Sequence, residues 1–526
     1  MNLVHDNWLQ AVHMEGVALP IHPSSVANLD LSDLDAPRPD FQGAQYQFLI
    51  GLLQTAYAPA DEDEWLKRWR TPPTTEELQA AFAPWADAFI LNADGPAFMQ
   101  DLQPTPEFRL RDIGELLIDQ GSDINLYFGP ASRQSGLCPA CAATALFALQ
   151  CNAPSGGVGH RVSMRGGGPL TTLIRPPEAP GRPAALWHKL WLNVMPKTAI
   201  RQRAGQQAGN ERAAILPWLG PTRTSERKDG QTAPADGHPL QAYWGMPRRI
   251  RLDWTSTEAG RCSVCNAATD RLLRCFSTKN YGVNYLGWEH PLTPYYHDPK
   301  KKELPLSVKG QKGGIGYRHW LGLMLGNERQ PEPAQVVRHY LAERWSALEH
   351  TGAPRLWVFG FDLDNAKARC WYDTTLPVHA VPPDRIDDFA RAVRAMLEVA
   401  QEAAGLLRSH VKQAWFDRPK DHKDDPAVPQ SFWQRTEGAF YAMLDDLQQQ
   451  QALYGPSLAA VYSRWHAAVI EHTLRLFDQW AEGAYEQCAD LKRVVDARAD
   501  LEKWLRAAKP MKALRSEVQR HAKEAA

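Results

Sequence analysis

Apolar positions recur at helical spacing in "FQGAQYQFLIGLLQTAYA", residues 41 to 58, and predict a buried helix. A second helix is expected from "TTEELQAAFAPWADAFI", where Thr74 and Glu77 have capping-box spacing. From about residue 100 to 375 the pattern is mixed. Short β-branched runs such as "PLTTLIR" and "LPLSVKG" alternate with glycine- and proline-rich loops, and the polar stretch 199 to 237 reads as mobile. Near residue 376 the composition changes. Four long periodic segments follow, at 384–416, 430–450, 456–490 and 492–524; the first places Phe389, Val393, Met396, Leu397 and Val399 at helical spacing. Short linkers between them predict an antiparallel four-helix bundle. The expected fold class is therefore α+β, with a large mixed domain over 1–375 and a helical bundle over 376–526. No repeat of solenoid period interrupts this order.

A chain of 526 residues exceeds the size of one hydrophobic core. Its net charge of -1 excludes a globally basic nucleic-acid coat and leaves only local patches for such a partner. Asp6 stands where a targeting leader would be apolar or basic, and no stretch reaches the length of a membrane span, so no membrane and a cytoplasmic location are expected.

Four of the eight cysteines form two pairs, Cys138-x-x-Cys141 and Cys262-x-x-Cys265. Such pairs can give four thiolates to one structural zinc, with no open position for catalysis. Buried thiols and redox chemistry are the alternatives. The stretch "NAPSGGVGHRVSMRGGGP", 152 to 169, has six glycines in eighteen positions. It fails the dinucleotide fingerprint, because Val162 stands where a third glycine is needed, and it lacks the lysine of a phosphate-binding loop. Either it is an irregular surface turn, or its bare backbone, flanked by Arg161 and Arg165, meets a polyanion. A second basic stretch carries Lys300, Lys301, Lys302, Lys309, Lys312 and Arg318, and reads as a phosphate-contacting or merely solvated hairpin. His297-Asp298 and "DHKDD" at 421–425 lack partners at ligand spacing, and there is no G-x-S-x-G. Catalysis is not expected; a metal-dependent nuclease or phosphohydrolase at His297-Asp298 and a protein-only scaffold are the alternatives.

Taken in order, "NLVHDNW", "APWADAFILNADGPAFMQ", "LCPACAATALFALQCNAPSGGVGHRVSMRGGGPLTTLIR" and "RCSVCNAATDRLLRCFSTKNYGVNYLGWEHP" resemble the large subunit, often called CasA, of the type I-E CRISPR surveillance complex Cascade. The resemblance implies a subunit of antiviral defence that recognises the protospacer-adjacent motif of double-stranded DNA from the minor groove. It also implies help in opening the duplex for guide-RNA pairing (R-loop formation) and recruitment of a separate helicase-nuclease. It places the family's glycine loop on Ser155, Gly156, Gly157, Val158 and Gly159, its lysine finger on Lys279, and its wedge tip on Asn365 beside Asp364. Tyr127, Phe128 and Gly129 correspond to the loop that anchors the subunit to the guide RNA 5' end and its cap subunit. The implied partners are that cap subunit, the backbone and small subunits, the CRISPR guide RNA and double-stranded target DNA. Cys138, Cys141, Cys262 and Cys265 coincide with the family's paired cysteines.

Overall fold

The computed structural model describes residues 1–120, 136–178, 181, 183–204, 212–227, 230–298, 300, 302–311, 313–326, 331–348, 352–364, 367–379, 381–482 and 490–523. Two compact units emerge. One comprises Met1–Lys312 with Asn327–Thr375, the other Gly313–Gly326 with Leu376–Ala526.

The first unit is organised on the helix Pro39–Ala56, which is buried along most of its length, with Gln45, Gln47 and Gln54 among its buried residues. Phe48 at its middle meets Trp8, Phe89, Phe98, Phe147 and Trp244 edge-to-face, with centroid separations of 5.3 to 5.9 Å. The helix runs past other elements at its glycines: a Cβ on Gly43 would stand 2.7 Å from the Phe359 ring. The expected capping box is present, with Thr74 and Glu77 exchanging hydrogen bonds of 2.8 and 3.2 Å at the start of Thr75–Phe82.

Two antiparallel sheets carry the segments that matter below. In one, Cys275–Lys279 lies between Arg109–Asp112 and Arg249–Leu252, with Lys279 opposite Arg249. In the other, the long strand Arg355–Asp364 lies between Thr171–Arg175 and Lys367–Pro377. The run "PLTTLIR" thus becomes a strand, whereas "LPLSVKG" supplies only Leu306–Ser307. The segment 199–237 contains the end of the helix Lys197–Ala204 and the short helix Arg212–Ile215; residues 205–211 and 228–229 lie outside the described residues.

In the second unit, the helices Ile386–Trp415, Ala427–Gln448, Gly455–Glu482, Leu491–Ala507 and Lys509–Lys523 replace the four segments expected. The last expected segment is broken at Ala508, whose backbone is extended (ψ 148°). Pro510, which has no N–H to donate and suits only a first helical turn, makes continuation through this point unfavourable. The segment Gly313–Gly326 joins this unit by burying Tyr317, whose hydroxyl lies 2.7 Å from Thr436 Oγ1 and whose ring stacks on Phe440 at 4.4 Å. Among the described residues, no helix is long and apolar enough to cross a membrane.

One buried ion cluster in the first unit yields a pH dependence. Arg344, 1 % exposed, sits 3.9 Å from the Trp65 ring centroid and donates to Glu62 and to the carbonyls of Leu192 and Val194. Burial alone would raise the Glu62 carboxyl, but hydrogen bonds from His339 and Arg344 outweigh it and lower the pKa from 4.5 to about 2. A depressed carboxylate stabilises the fold above its unfolded pKa and loses that contribution as pH falls through its folded one. The cluster's contribution is thus complete above about pH 4.5 and disappears by about pH 2. Glu62→Gln is expected to lower Tm at neutral pH and to flatten the acid limb of thermal unfolding between these values; an acid limb identical to that of the parent chain would refute the assignment.

Candidate functional site

The four paired cysteines converge. Cys138 caps the helix Pro139–Asn152, with Pro139 at its first position and the Cys141 N–H donating to Cys138 Sγ at 3.5 Å. The second pair forms the turn between Glu258–Arg261 and Ala268–Leu272, which Asn266 closes at a φ of 60°. Backbone bonds fasten the two segments: Ser263 N donates to the Gly136 carbonyl at 2.8 Å, and Leu137 and Leu273 exchange bonds of 3.0 and 2.9 Å. Gly136 packs closely there: a Cβ would fall 2.5 Å from the Leu272 side chain, which would have to shift.

The four sulfurs lie within 4.8 Å of one another, and Cys138 and Cys265 are 3.7 Å apart. A tetrahedral ion with metal–sulfur bonds of about 2.3 Å sets sulfurs about 3.8 Å apart, so the cluster could hold a metal ion. Hydrogen bonding to Cys138 and Cys262, followed by burial, pushes the Cys141 thiol far up, while Cys262 is pushed down by accepting from Cys138 and Cys141. Cys151, Cys275 and Cys370 are free thiols outside the cluster.

The helix Pro139–Asn152 leads from this cluster to the glycine loop. Ser155, Gly156, Gly157 and Val158 are exposed, and Val158 at the apex is 79 % exposed. Gly157 and Gly159 adopt φ of 91° and 76°, the left-handed region that excludes most side chains. The loop is braced from two sides. Asn280 Nδ2 donates to the Val158 carbonyl at 2.9 Å and Tyr281 N to the Gly159 carbonyl at 2.8 Å. Opposite, Arg248 donates at 2.6 Å to the Pro154 carbonyl and to His160 Nδ1. Burial and the Arg248 charge lower the His160 pKa, which favours the neutral ring as acceptor.

The second glycine group combines left-handed backbone, with Gly166 and Gly168 at φ of 83° and 63°, with close packing. A Cβ on Gly167 would lie 3.5 Å from Ser155 N, and one on Gly168 would lie 2.7 Å from Leu363 in the strand that ends at Asp364. Gly310 also packs against this strand, 2.5 Å from the Phe361 carbonyl by the same measure. The glycine loop and the far end of the strand Arg355–Asp364 therefore share one support.

Lys279 ends the central strand Cys275–Lys279, one residue before the Asn280 that braces the loop. Its ammonium is paired with Glu107 and lies 3.2 Å from Glu226. Lys309 is exposed beside Gly166, with a Cβ on that glycine 3.9 Å from its Nζ. Lys300 and Lys302 are exposed on a loop whose backbone donates to Asp298 at 3.0 and 2.9 Å.

Other expectations change. Arg165 is 4 % exposed, and its guanidinium donates to Thr171, Thr293, Gln47 and the Cys151 carbonyl. It is an internal brace rather than a phosphate contact, because every buried donor must find a protein acceptor. Arg161 is half-buried and donates to the Ser225 hydroxyl and carbonyl at 2.6 and 2.9 Å, tying the loop's return to a neighbouring segment. Tyr127, Phe128, Gly129, Lys301, Lys312 and Asn365 lie outside the described residues. His297 stands 3.4 Å from Glu289 and from Glu332 through different ring nitrogens, while Asp298 accepts from three backbone N–H groups, so the dipeptide does not converge on one ion.

Sequence reading missed Asn280, Arg248, Glu107 and Glu226. Asn280 was adjacent to a residue already singled out. The other three come from distant segments and carry no local motif. Arg109 and Arg111, exposed on the strand beside Cys275–Lys279, add positive charge without any spacing signal.

Solved structures share this fold. Thermobifida fusca Cse1 is 17 % identical with a TM-score of 0.70, over 97 % of this chain and 98 % of that one. Thermus thermophilus CasA (Cse1) is 16 % identical with a TM-score of 0.69, over 98 % and 99 %. A chain of a CRISPR RNA-guided surveillance complex is 16 % identical with a TM-score of 0.68, over 96 % and 99 %. Independently of these likenesses of fold, the family model for CRISPR-associated protein Cse1 matches residues 2–476. The chain belongs to that family, the large subunits of type I-E CRISPR systems also known as CasA.

Proposed function

We propose that this chain is the DNA-recognising subunit of a guide-RNA complex, reading the protospacer-adjacent motif through the minor groove. The observation that carries this reading is the exposed, side-chain-poor loop Ser155–Gly159, braced on the segment that bears Lys279 and supported with the hairpin Arg355–Pro377. A minor groove about 6 Å wide admits bare backbone, and its acceptor pattern is degenerate, so several related trinucleotides are accepted. Lys279 would donate to base or sugar acceptors. Lys300, Lys302 and Lys309 supply phosphate contacts that position the duplex without reading it. The hairpin would part the first base pair beyond the motif, and guide-RNA pairing would then read the sequence. The chain would assemble in the cytoplasm with the cap, backbone and small subunits and the guide RNA. It would hand the opened DNA to a separate helicase-nuclease and would not itself be an enzyme.

Zinc is the metal that suits four cysteine sulfurs without an open position, and its role would be to fix two segments rather than to catalyse. Cys138, Cys141, Cys262 and Cys265 would hold it.

Duplex binding by the complete complex, measured across all trinucleotides flanking a matched target, tests the reading. Gly157→Ala keeps the space but not the backbone freedom, and is expected to weaken binding at least roughly tenfold. Lys279→Ala is expected to cost roughly 5- to 100-fold, the range of one good base contact. Val158→Gly is expected to change which trinucleotides are accepted. Binding that requires neither the chain nor a particular trinucleotide would reject the reading.

The purified chain is expected to carry one zinc. Cys141→Ser or Cys262→Ser should release it and lower Tm, and chelation should do the same to the parent chain. Metal analysis showing no zinc in chain purified without chelator would reject this assignment.

A further inference from the structure

Two acidic residues at the site have no part in the reading above. Glu107 and Glu226 come from loops far apart in sequence and meet at Lys279, which is paired with the first and 3.2 Å from the second. Their side chains are 70 % and 49 % exposed, so a phosphate or a base-edge acceptor can reach the place they occupy. One ammonium between two carboxylates has a net negative charge, so the trio adds no attraction for a nucleic acid, and the lysine reaches one only by leaving its partners.

The clamp is wired to the glycine loop. Glu226 follows Ser225, which accepts from Arg161 just beyond the loop and donates through Oγ to the Gly282 carbonyl at 2.7 Å. Lys279 precedes Asn280, which holds the Val158 carbonyl at the loop's apex. Gly282 fixes this circuit in place, because a Cβ there would fall 2.0 Å from the Pro247 carbonyl oxygen. The segments that carry both members of the Lys279–Glu226 pair are thus hydrogen-bonded to the loop or to its return.

We infer that Glu107 and Glu226 compete with duplex DNA for Lys279, so that the lysine is released only to a duplex that holds it more strongly than they do. The inference rests on the minor-groove reading proposed above. Exposed ion pairs are weak enough for a fitted duplex to break, while carboxylates beside an ill-fitting one add repulsion.

The experiment uses the complete guide-RNA complex with two matched targets, one flanked by an accepted and one by a rejected trinucleotide. Incorporation of each variant chain into the complex serves as the folding control. Glu107→Gln with Glu226→Gln is expected to tighten binding to the accepted duplex by roughly three- to tenfold, because the cost of breaking the pairs is removed, and to the rejected one by no more than that factor. Adding Lys279→Ala should abolish the gain, since the gain is a coupling to that lysine. Unchanged binding to both duplexes, tightening confined to the rejected duplex, or a gain that survives Lys279→Ala would each overturn the inference. The two levels of the argument separate cleanly. If Lys279→Ala weakens binding while the glutamate variants are silent, only the clamp is lost; if Lys279→Ala alone changes neither affinity nor trinucleotide dependence, the role proposed for Lys279 in the groove fails with it.

Discussion

The convergence of four cysteine sulfurs is the constraint on which the rest of the site depends. It joins segments that are remote in sequence, and from it two elements run to the same destination. The helix Pro139–Asn152, about 21 Å long at the usual rise, ends at the glycine loop. The other pair leads through Ala268–Leu272 into Cys275–Lys279 and so to Asn280, which bonds to the loop's apex. The loop and the lysine are thus fixed relative to one another at both ends, at the root by sulfur and at the tip by backbone carbonyls. A metal ion at the root would couple its own binding energy to the register of the tip.

This arrangement explains how much could be read in advance. The Cys-x-x-Cys pairs were visible because each is local, and the structure adds only that they meet. The glycine loop was visible for the same reason. What could not be read was the division of its six glycines into two kinds. At the surface Gly157 and Gly159 adopt left-handed backbone, whereas beneath it Gly168 meets two demands at once, a φ of 63° and a Cβ position 2.7 Å from Leu363. Both kinds look alike in a sequence, because the absence of a side chain does not say which neighbour required it. Arg165 was misread by the same logic: a guanidinium next to glycines looks like an anion site, and only the burial of Gln47, Thr171 and Thr293 around it reveals an internal brace.

The helical region was legible in type and less so in number. Periodicity located its helices, since amphipathic stripes carry their own record of the core they face. It did not separate Leu491–Ala507 from Lys509–Lys523, because the apolar pattern continues across the break and the decisive signal is the single Pro510. Nor did it assign Gly313–Gly326 to the helices. That segment joins them through Tyr317 and its bond to Thr436, a contact between distant segments that no local pattern encodes.

Charge is where the sequence was most misleading. A net charge of -1 sits awkwardly with a chain proposed to grip DNA, and the basic runs invited a search for free lysines and arginines. The structure shows instead that the cations nearest the glycine loop are occupied: Arg161 by Ser225, Arg248 by Pro154 and His160, Lys279 by Glu107 and Glu226. Near-neutrality is the balance of 59 Lys and Arg against 60 Asp and Glu over the whole chain, and among the described residues only Lys279 of these three cations is held by opposite charge. On the reading proposed above, a duplex would reach Lys279 only by replacing Glu107 and Glu226, whereas the exposed Lys300, Lys302 and Lys309 would attract phosphate whatever the sequence.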